Sequence, residues 1–389
     1  MAKFLIIYFL VLFSVNIFGQ KAKNGLIFPL QSQHVHSSSI VELPNGDLLV
    51  CWFQGSGERN ANDVVINGSR LKKGQTVWGK PFLMADTPGQ PDCNPVLFLN
   101  KQDKLFLVWI AVQANRWESS ILKVKTTTDY SKEGVPNWQW QDNILLKPGE
   151  EFAKRAEEQF KEFGRDDLVW AEYALPYEEM LIEAAKDPKK RETGWMTRTH
   201  PIILKNGKIL LPLYSDGFNF GLIAISNDDG KTWKPSLPIV GRGLNQPSLI
   251  VRKDGSIDAY MRDDGDEPGR IMISHSDDEG YSWTYGQKSE IPNPGASLEV
   301  IQLKSGNWLM VYNDVDDGRY SLSVALSDDE GELWKWKRNL ENTKGASFSY
   351  PSVIQTKDRT IHITYSYFTK EGKKAIKHIS FKENWIQNN

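Results

Sequence analysis

The chain has 389 residues, with 47 Lys and Arg against 49 Asp and Glu, for a formal charge of −2 at neutral pH. That balance excludes the broad basic field by which proteins hold nucleic acid. Apolar residues make up 40% of the chain, and beyond the N-terminal run described next no segment approaches the ~18 apolar residues that a membrane helix needs.

The N-terminus reads as a targeting segment. Lys3 supplies a positive start, Phe4 to Phe13 is a short apolar run, and Gly19 offers a small residue for cleavage. This predicts a signal peptide over residues 1–19 and a mature chain, residues 20–389, that is secreted or periplasmic. No Cys lies near the cleavage site to carry a lipid anchor. The chain has two, Cys51 and Cys93, which either pair in an oxidising compartment or stay as separately buried thiols.

The remainder is a series of repeats. Candidate hairpin turns fall at Asn45-Gly46, Gln102-Asp103, Asn206-Gly207, Asp254-Gly255, Ser305-Gly306 and Asp358-Arg359. Apolar β-prone runs flank them, such as Asp47 to Trp52 and Lys208 to Tyr214. Pro148 to Gly194 interrupts the series. Its apolar residues recur at helical spacing, which predicts two short helices inserted between the second and third repeats.

Later in the chain a second signature appears three times, at Ser226–Trp233, Ser276–Trp283 and Ser327–Trp334, spaced by 50 and 51 residues. Each reads as a turn in which Ser and Asp oxygens cap free N–H groups, Gly takes positive φ and Trp buries its ring between sheets. A fixed period of this size predicts a repeat architecture. The signature resembles the Asp box of sialidase-like β-propellers, and that resemblance implies an all-β propeller of six blades with a short helical insertion; a seventh blade could come from the terminal strands or from residues 120–145.

In a propeller the inner strands open at one rim of the central channel, so residues that begin distant repeats meet there. Those openings hold His34 and His36, Asp92 and Asn94, Arg198 and His200, Asn245 and Gln246, Asn293 and Pro294, and Ser349 and Tyr350. His34 and His36 alternate along one strand and face the same side. With His200 they are the one combination that could hold a divalent metal; otherwise no cofactor is expected. Asp314 to Gly318 looks like a calcium loop but lacks the glutamate that completes one.

The Ser-x-Asp-x-Gly-x-x-Trp signature is the Asp box of sialidase-like β-propellers, and the resemblance covers most of residues 30–380. Tyr350, in Phe348-Ser-Tyr-Pro-Ser-Val-Ile-Gln-Thr356, resembles the sialidase catalytic tyrosine. Arg262 and Arg319 resemble two of the three arginines that clamp the substrate carboxylate. Two positions depart from that pattern. His36 stands where the first arginine belongs, and Gln246 stands where a glutamate activates the tyrosine. Glu58 and Arg59 resemble the region of the sialidase acid/base, with Asp63 a further candidate general acid. The opening His36 to Leu49 is similar to a wider bacterial group of secreted propellers, which implies glycan degradation by glycosidases or uronate lyases.

A phenol without a base is a poor nucleophile. A carboxylate clamp, an imidazole and a phenol instead suit removal of the proton beside a uronate carboxylate and loss of the C4 substituent. The catalytic candidates are therefore His36, Tyr350, His200 and Gln246; the substrate-binding candidates are Arg262, Arg319, Arg198, Arg59, His34 and Asn94. The predicted function is β-elimination at a uronic acid of an acidic oligosaccharide, by a lyase or a dehydratase, giving a 4,5-unsaturated uronate. The alternatives are exo-glycoside hydrolysis and non-catalytic glycan binding. The predicted partner is that saccharide, with no nucleic acid or membrane, and the chain is expected to be a monomer.

Overall fold

The computed structural model describes residues 22–163 and 175–388; the predicted signal peptide lies outside them. The described residues form six antiparallel sheets arranged as the blades of a propeller. Their innermost strands are His34–Glu42, Asp92–Leu99, a broken pair Met196–Thr197 and Ile202–Ile203, then Leu244–Val251, Glu299–Gln302 and Ser347–Gln355. Each inner strand turns back at one of the six hairpin sites foreseen in the sequence. The turns share one pattern: Leu43 N–H donates to Asp47 O and Gly46 N–H to Leu43 O, and the same two bonds recur from Asn100, Leu204, Arg252, Leu303 and Thr356. The residue that must adopt positive φ is glycine in four of them, but Asp103 and Arg359 serve in the other two.

Lys23–Leu26 pairs antiparallel with Lys374–Lys382, from Lys23 opposite Ser380 to Leu26 opposite Lys377. An early strand thus completes the last blade and closes the ring. This corrects the option of a seventh blade. The terminal strand is used up in the sixth sheet, and Ser120–Thr127 and Trp140–Asn143 are the outer strands of the second. Closure of this kind covers the last blade's exposed edge and leaves nothing from which to build another.

The Asp boxes lie between the third and fourth strands of blades three to five. In the first, Ser226 Oγ accepts from Gly230 N–H at 2.9 Å, and Asp228 Oδ1 accepts from Thr232 N–H at 2.9 Å. The other two boxes repeat this with Gly280 and Ser282, and with Gly331 and Leu333. Positive φ falls on two consecutive residues in each, Asp229-Gly230, Glu279-Gly280 and Glu330-Gly331, one more than the sequence reading assigned. Trp283 and Trp334 are buried, while Trp233 is only half-buried.

Three helices lie between blades two and three: α1 (Glu150–Glu162), α2 (Leu175–Lys186) and α3 (Pro188–Arg191). In α1, Phe152, Ala156 and Phe160 recur every four residues and make one buried stripe. Phe152 meets Trp195, Phe218 and Phe220 with ring centroids 5.6–6.3 Å apart. Arg155 and Gln159 both donate to Trp283 O at 2.9 Å. The insertion is therefore fastened to blades three and four, and through Phe218 it braces a loop at the channel mouth. Cys51 and Cys93 are free thiols, both fully buried in the apolar layer between blades one and two. That corrects the disulfide alternative; burial raises both thiol pKa values and keeps them inert.

Candidate functional site

The local backbone explains why the strand openings reach into the channel. Four inner strands carry a bulge at the same point, between His36 and Ser39, Cys93 and Val96, Asn245 and Ser248, and Ser349 and Ser352. In each a non-glycine residue is left-handed: Ser37 at φ 55°, Asn94 at 49°, Gln246 at 57° and Tyr350 at 56°. A bulge re-aims a side chain that would otherwise point between sheets, at a backbone cost of roughly 1–3 kcal/mol per residue. Asn94, Gln246 and Tyr350 are all buried or half-buried polar side chains delivered this way.

A closed circle of inter-blade hydrogen bonds holds the openings in place. Leu97 N–H donates to Ser39 Oγ, Thr197 Oγ1 to Asn94 O, Thr199 Oγ1 to Pro247 O, Val300 N–H to Ser248 Oγ, Val353 N–H to Glu299 Oε2 and Ile40 N–H to Ser352 Oγ. His200 belongs to this circle. Its Nδ1 lies 2.8 Å from Glu299 Oε1, and its Nε2 lies 2.9 Å from Ile40 O. Burial opposes the imidazolium, but Glu299 outweighs it and raises the His200 pKa; likewise burial opposes the Glu299 carboxylate, and His200 outweighs it to hold that pKa low. This pair fastens blades one, three and five together and engages both ring nitrogens of His200, the residue read from sequence as a catalytic candidate. The three histidines that the sequence reading grouped as a metal option each have a different side-chain partner. His34 pairs with Glu58, His36 with Ser366 and His200 with Glu299, and no cluster of three metal-ligating side chains occurs among the described residues.

At the mouth, Tyr350 is the hub. Its oxygen accepts from Gln246 Nε2 and from Arg262 Nη1, both at 3.1 Å. The guanidinium of Arg198 lies 4.7 Å from its ring centroid and that of Arg319 5.7 Å. The His36 ring lies 4.0 Å from it. Five side chains from blades one, three, four and five thus surround a tyrosine of blade six. Arg198 is 2% exposed and donates to Pro351 O, so its visible role is to support the tyrosine ring. Arg262 also donates to Asp264 at 2.5 Å, and Arg319 to Gly295 O at 2.8 Å. Burial works against the charge on Arg262, but Tyr350 and Asp264 more than offset it and raise its pKa. Arg262 stays cationic and available to an anion.

His36 is buried, with a pKa held well below the usual imidazole value by burial first, then by His34, Arg319, Arg198 and Arg262. It is a neutral imidazole at neutral pH. Asn94 Nδ2 donates to Tyr214 Oη at 3.0 Å, so it supports the floor through another residue. His34 and Glu58 form a pair at 3.1 Å on the rim, and Arg59 lies 5.4 Å from the Trp117 ring centroid. Asp63 is tied to Ser56, whose hydrogen bonds lower its pKa and keep it ionised, unsuited to donating a proton. In the Asp314–Gly318 segment, Asp314 pairs with Lys337 and Asp316 with Arg270.

The sequence reading missed Asp216. It lies two residues after Tyr214 in the loop that Phe218 anchors; its surface is exposed, although surrounding protein atoms crowd its carboxyl. Its carboxyl is pushed up to about 6, by burial first, with Arg262 opposing and Asp264 adding. The sequence reading assigned no role to Asp216, because no repeat register marks the loop that carries it.

The chain resembles several solved propellers. A protein of unknown function from Dyadobacter fermentans is 16% identical, with a TM-score of 0.68 over 94% of this chain and 99% of that one. The leech intramolecular trans-sialidase is 12% identical, with a TM-score of 0.67 over 92% of this chain and 69% of that one. The intramolecular trans-sialidase of Ruminococcus gnavus is also 12% identical, with a TM-score of 0.64 over 91% and 95%. At such identities the likeness establishes the sialidase-like fold. No protein of curated function matches the sequence. The profile of the BNR repeat-like domain matches residues 46–154 and 189–363 and passes over most of the helical insertion. Those segments make up well over half of the chain, which therefore belongs to the BNR repeat-like family of sialidase-like β-propellers.

Proposed function

We propose that this propeller catalyses β-elimination at a uronic acid residue of an acidic oligosaccharide. One observation carries the reading: the oxygen of Tyr350 is held by Gln246 and Arg262, where a glycosidase that uses tyrosine as nucleophile needs a carboxylate base. Arg262 and Arg319 are placed to take the substrate carboxylate, and guanidinium groups do so in bidentate fashion. They also stabilise the charge that spreads onto it as the adjacent carbon loses its proton. Tyr350 and neutral His36, in ring contact, are the pair that handles protons and the departing oxygen. The product would be a 4,5-unsaturated uronate.

Incubation with uronate oligosaccharides should raise ultraviolet absorbance from the new C4–C5 double bond, and mass analysis of the products should show neither added nor lost water overall. Loss of water would redirect the reading to a dehydratase. Gain of water without new absorbance would overturn elimination. A second reading, exo-glycoside hydrolysis, is favoured by Asp216, whose raised carboxyl suits a general acid beside Arg262.

A further inference from the structure

The hydrogen bonds around His36 fix which of its nitrogens carries the proton. Ser366 Oγ accepts from Ser37 N–H at 3.2 Å and lies 2.7 Å from His36 Nδ1. Ser366 is fully buried on the second strand of blade six. A hydroxyl has one proton to give. Among the described residues, the only acceptor in reach of Ser366's proton is His36 Nδ1. That nitrogen is therefore the acceptor, and the imidazole proton sits on Nε2. Among the described residues Nε2 has no hydrogen-bond partner, and it is not among the fully buried polar atoms lacking one, so it keeps some exposure to solvent. A second proton on the ring would face His34 at 5.7 Å and the guanidinium groups of Arg198, Arg262 and Arg319. It would also sit against Phe53 and Phe368, with ring centroids 5.8 and 5.7 Å away.

We propose that Ser366 is a positioning residue that locks His36 as the Nε2–H tautomer, so that the imidazole donates a hydrogen bond to the substrate and Tyr350 takes the proton. The proposal rests on the elimination reading of the same mouth. In the step it implies, the oxygen of Tyr350, deprotonated for the reaction between the Gln246 and Arg262 donors, takes the C5 proton. The C5–H electron pair becomes the C4–C5 double bond, and the C4–O bond breaks with its pair on oxygen. Tyr350 then returns the proton to that oxygen, and its own oxygen is restored to the form in which the step began. His36 keeps its Nε2 proton throughout and donates to the carboxylate or the departing oxygen. This reverses the assignment that imidazole chemistry alone suggests, in which histidine is the base.

The test is nitrogen-15 NMR of the full chain near neutral pH, with the His36 signals assigned through His36→Gln. Wild type is expected to show an unprotonated Nδ1 and a protonated Nε2. Ser366→Thr, which keeps a hydroxyl, should preserve that pattern; Ser366→Ala should lose it and lower kcat/KM about tenfold. A protonated Nδ1 in wild type would overturn the proposal whatever the activity, and so would full activity in a folded Ser366→Ala protein. If Ser366→Ala does not fold, the wild-type and Ser366→Thr spectra still decide. The expected tautomer without elimination on any uronate tested would leave the lock standing and sink the reaction assigned to the site.

Discussion

Gln246 donates through Nε2 to the phenolic oxygen of Tyr350 at 3.1 Å, across the channel from blade four to blade six. Gln246 is 1% exposed and is set in place by its left-handed backbone. An amide at this contact donates to the tyrosine oxygen and cannot act as its base.

Substituting Gln246→Glu would put a carboxylate on that oxygen with little change in shape. Elimination should fall about 10–100-fold, roughly 1.4–2.7 kcal/mol of barrier, with the melting temperature near that of wild type. A glycosidase mechanism would gain from the same change. Product mass, read as water gained or not, checks which way the variant moves.

Arg262→Ala should lower kcat/KM on acidic saccharides about 100–1000-fold, because it removes both a carboxylate partner and a donor to Tyr350. Arg319→Ala, which does not donate to the tyrosine oxygen, should cost less. Methyl-esterified substrates should narrow the gap between wild type and either variant. An equal loss on acid and ester would show that the arginines hold blades together and do not bind carboxylate.

Breaking the His200–Glu299 pair should destabilise the fold. Either His200→Ala or Glu299→Gln leaves a buried charge without its partner, for a loss of about 3–5 kcal/mol. The pH dependence follows from the two directions. The His200 pKa is raised above 6.5, so its contribution is complete below about 6.5 and is lost as pH rises through the folded value. The Glu299 pKa is lowered from 4.5, so its contribution is complete above about 4.5 and is lost as pH falls through the folded value. Melting curves of wild type and a double variant should therefore differ most between those limits and converge toward both extremes.

Asp216→Asn tests the hydrolytic alternative. Its carboxyl, pushed up to about 6, is protonated below that pH and ionised above it. If Asp216 gives the proton to a leaving group, kcat/KM falls as pH rises through about 6, and the variant loses that limb along with most of its activity. If elimination through Tyr350 is the reaction, the variant keeps the wild-type pH profile and loses less than about tenfold.

Removal of Lys23–Leu26 should expose the edge of Lys374–Lys382 and cost about 2–4 kcal/mol in lost ladder hydrogen bonds. Faster proteolysis near residues 374–382, seen by mass spectrometry, would report the opened blade. Unchanged stability would show that this strand adds little to ring closure.

The sequence by itself determined the repeat and the chemistry at its openings. Turn residues with positive φ, the Asp boxes and the alternating apolar strands are local signals, written within a few residues of where they act. They place His36, Gln246 and Tyr350 near the starts of inner strands, Arg198 at the break in the third blade's inner strand, Arg262 near the end of a second strand and Arg319 in the loop beyond one. The tertiary structure alone decided which of these residues meet a ligand and which meet one another. His200 and Tyr350 both precede proline at a strand opening, yet one is spent on Glu299 within the channel wall and the other is aimed into the mouth. Asp216, Ser366 and the closing strand at Lys23 gain their meaning from partners dozens to hundreds of residues away. Such contacts depend on how six sheets rotate about one axis, and the spacing within a single repeat carries no record of that rotation.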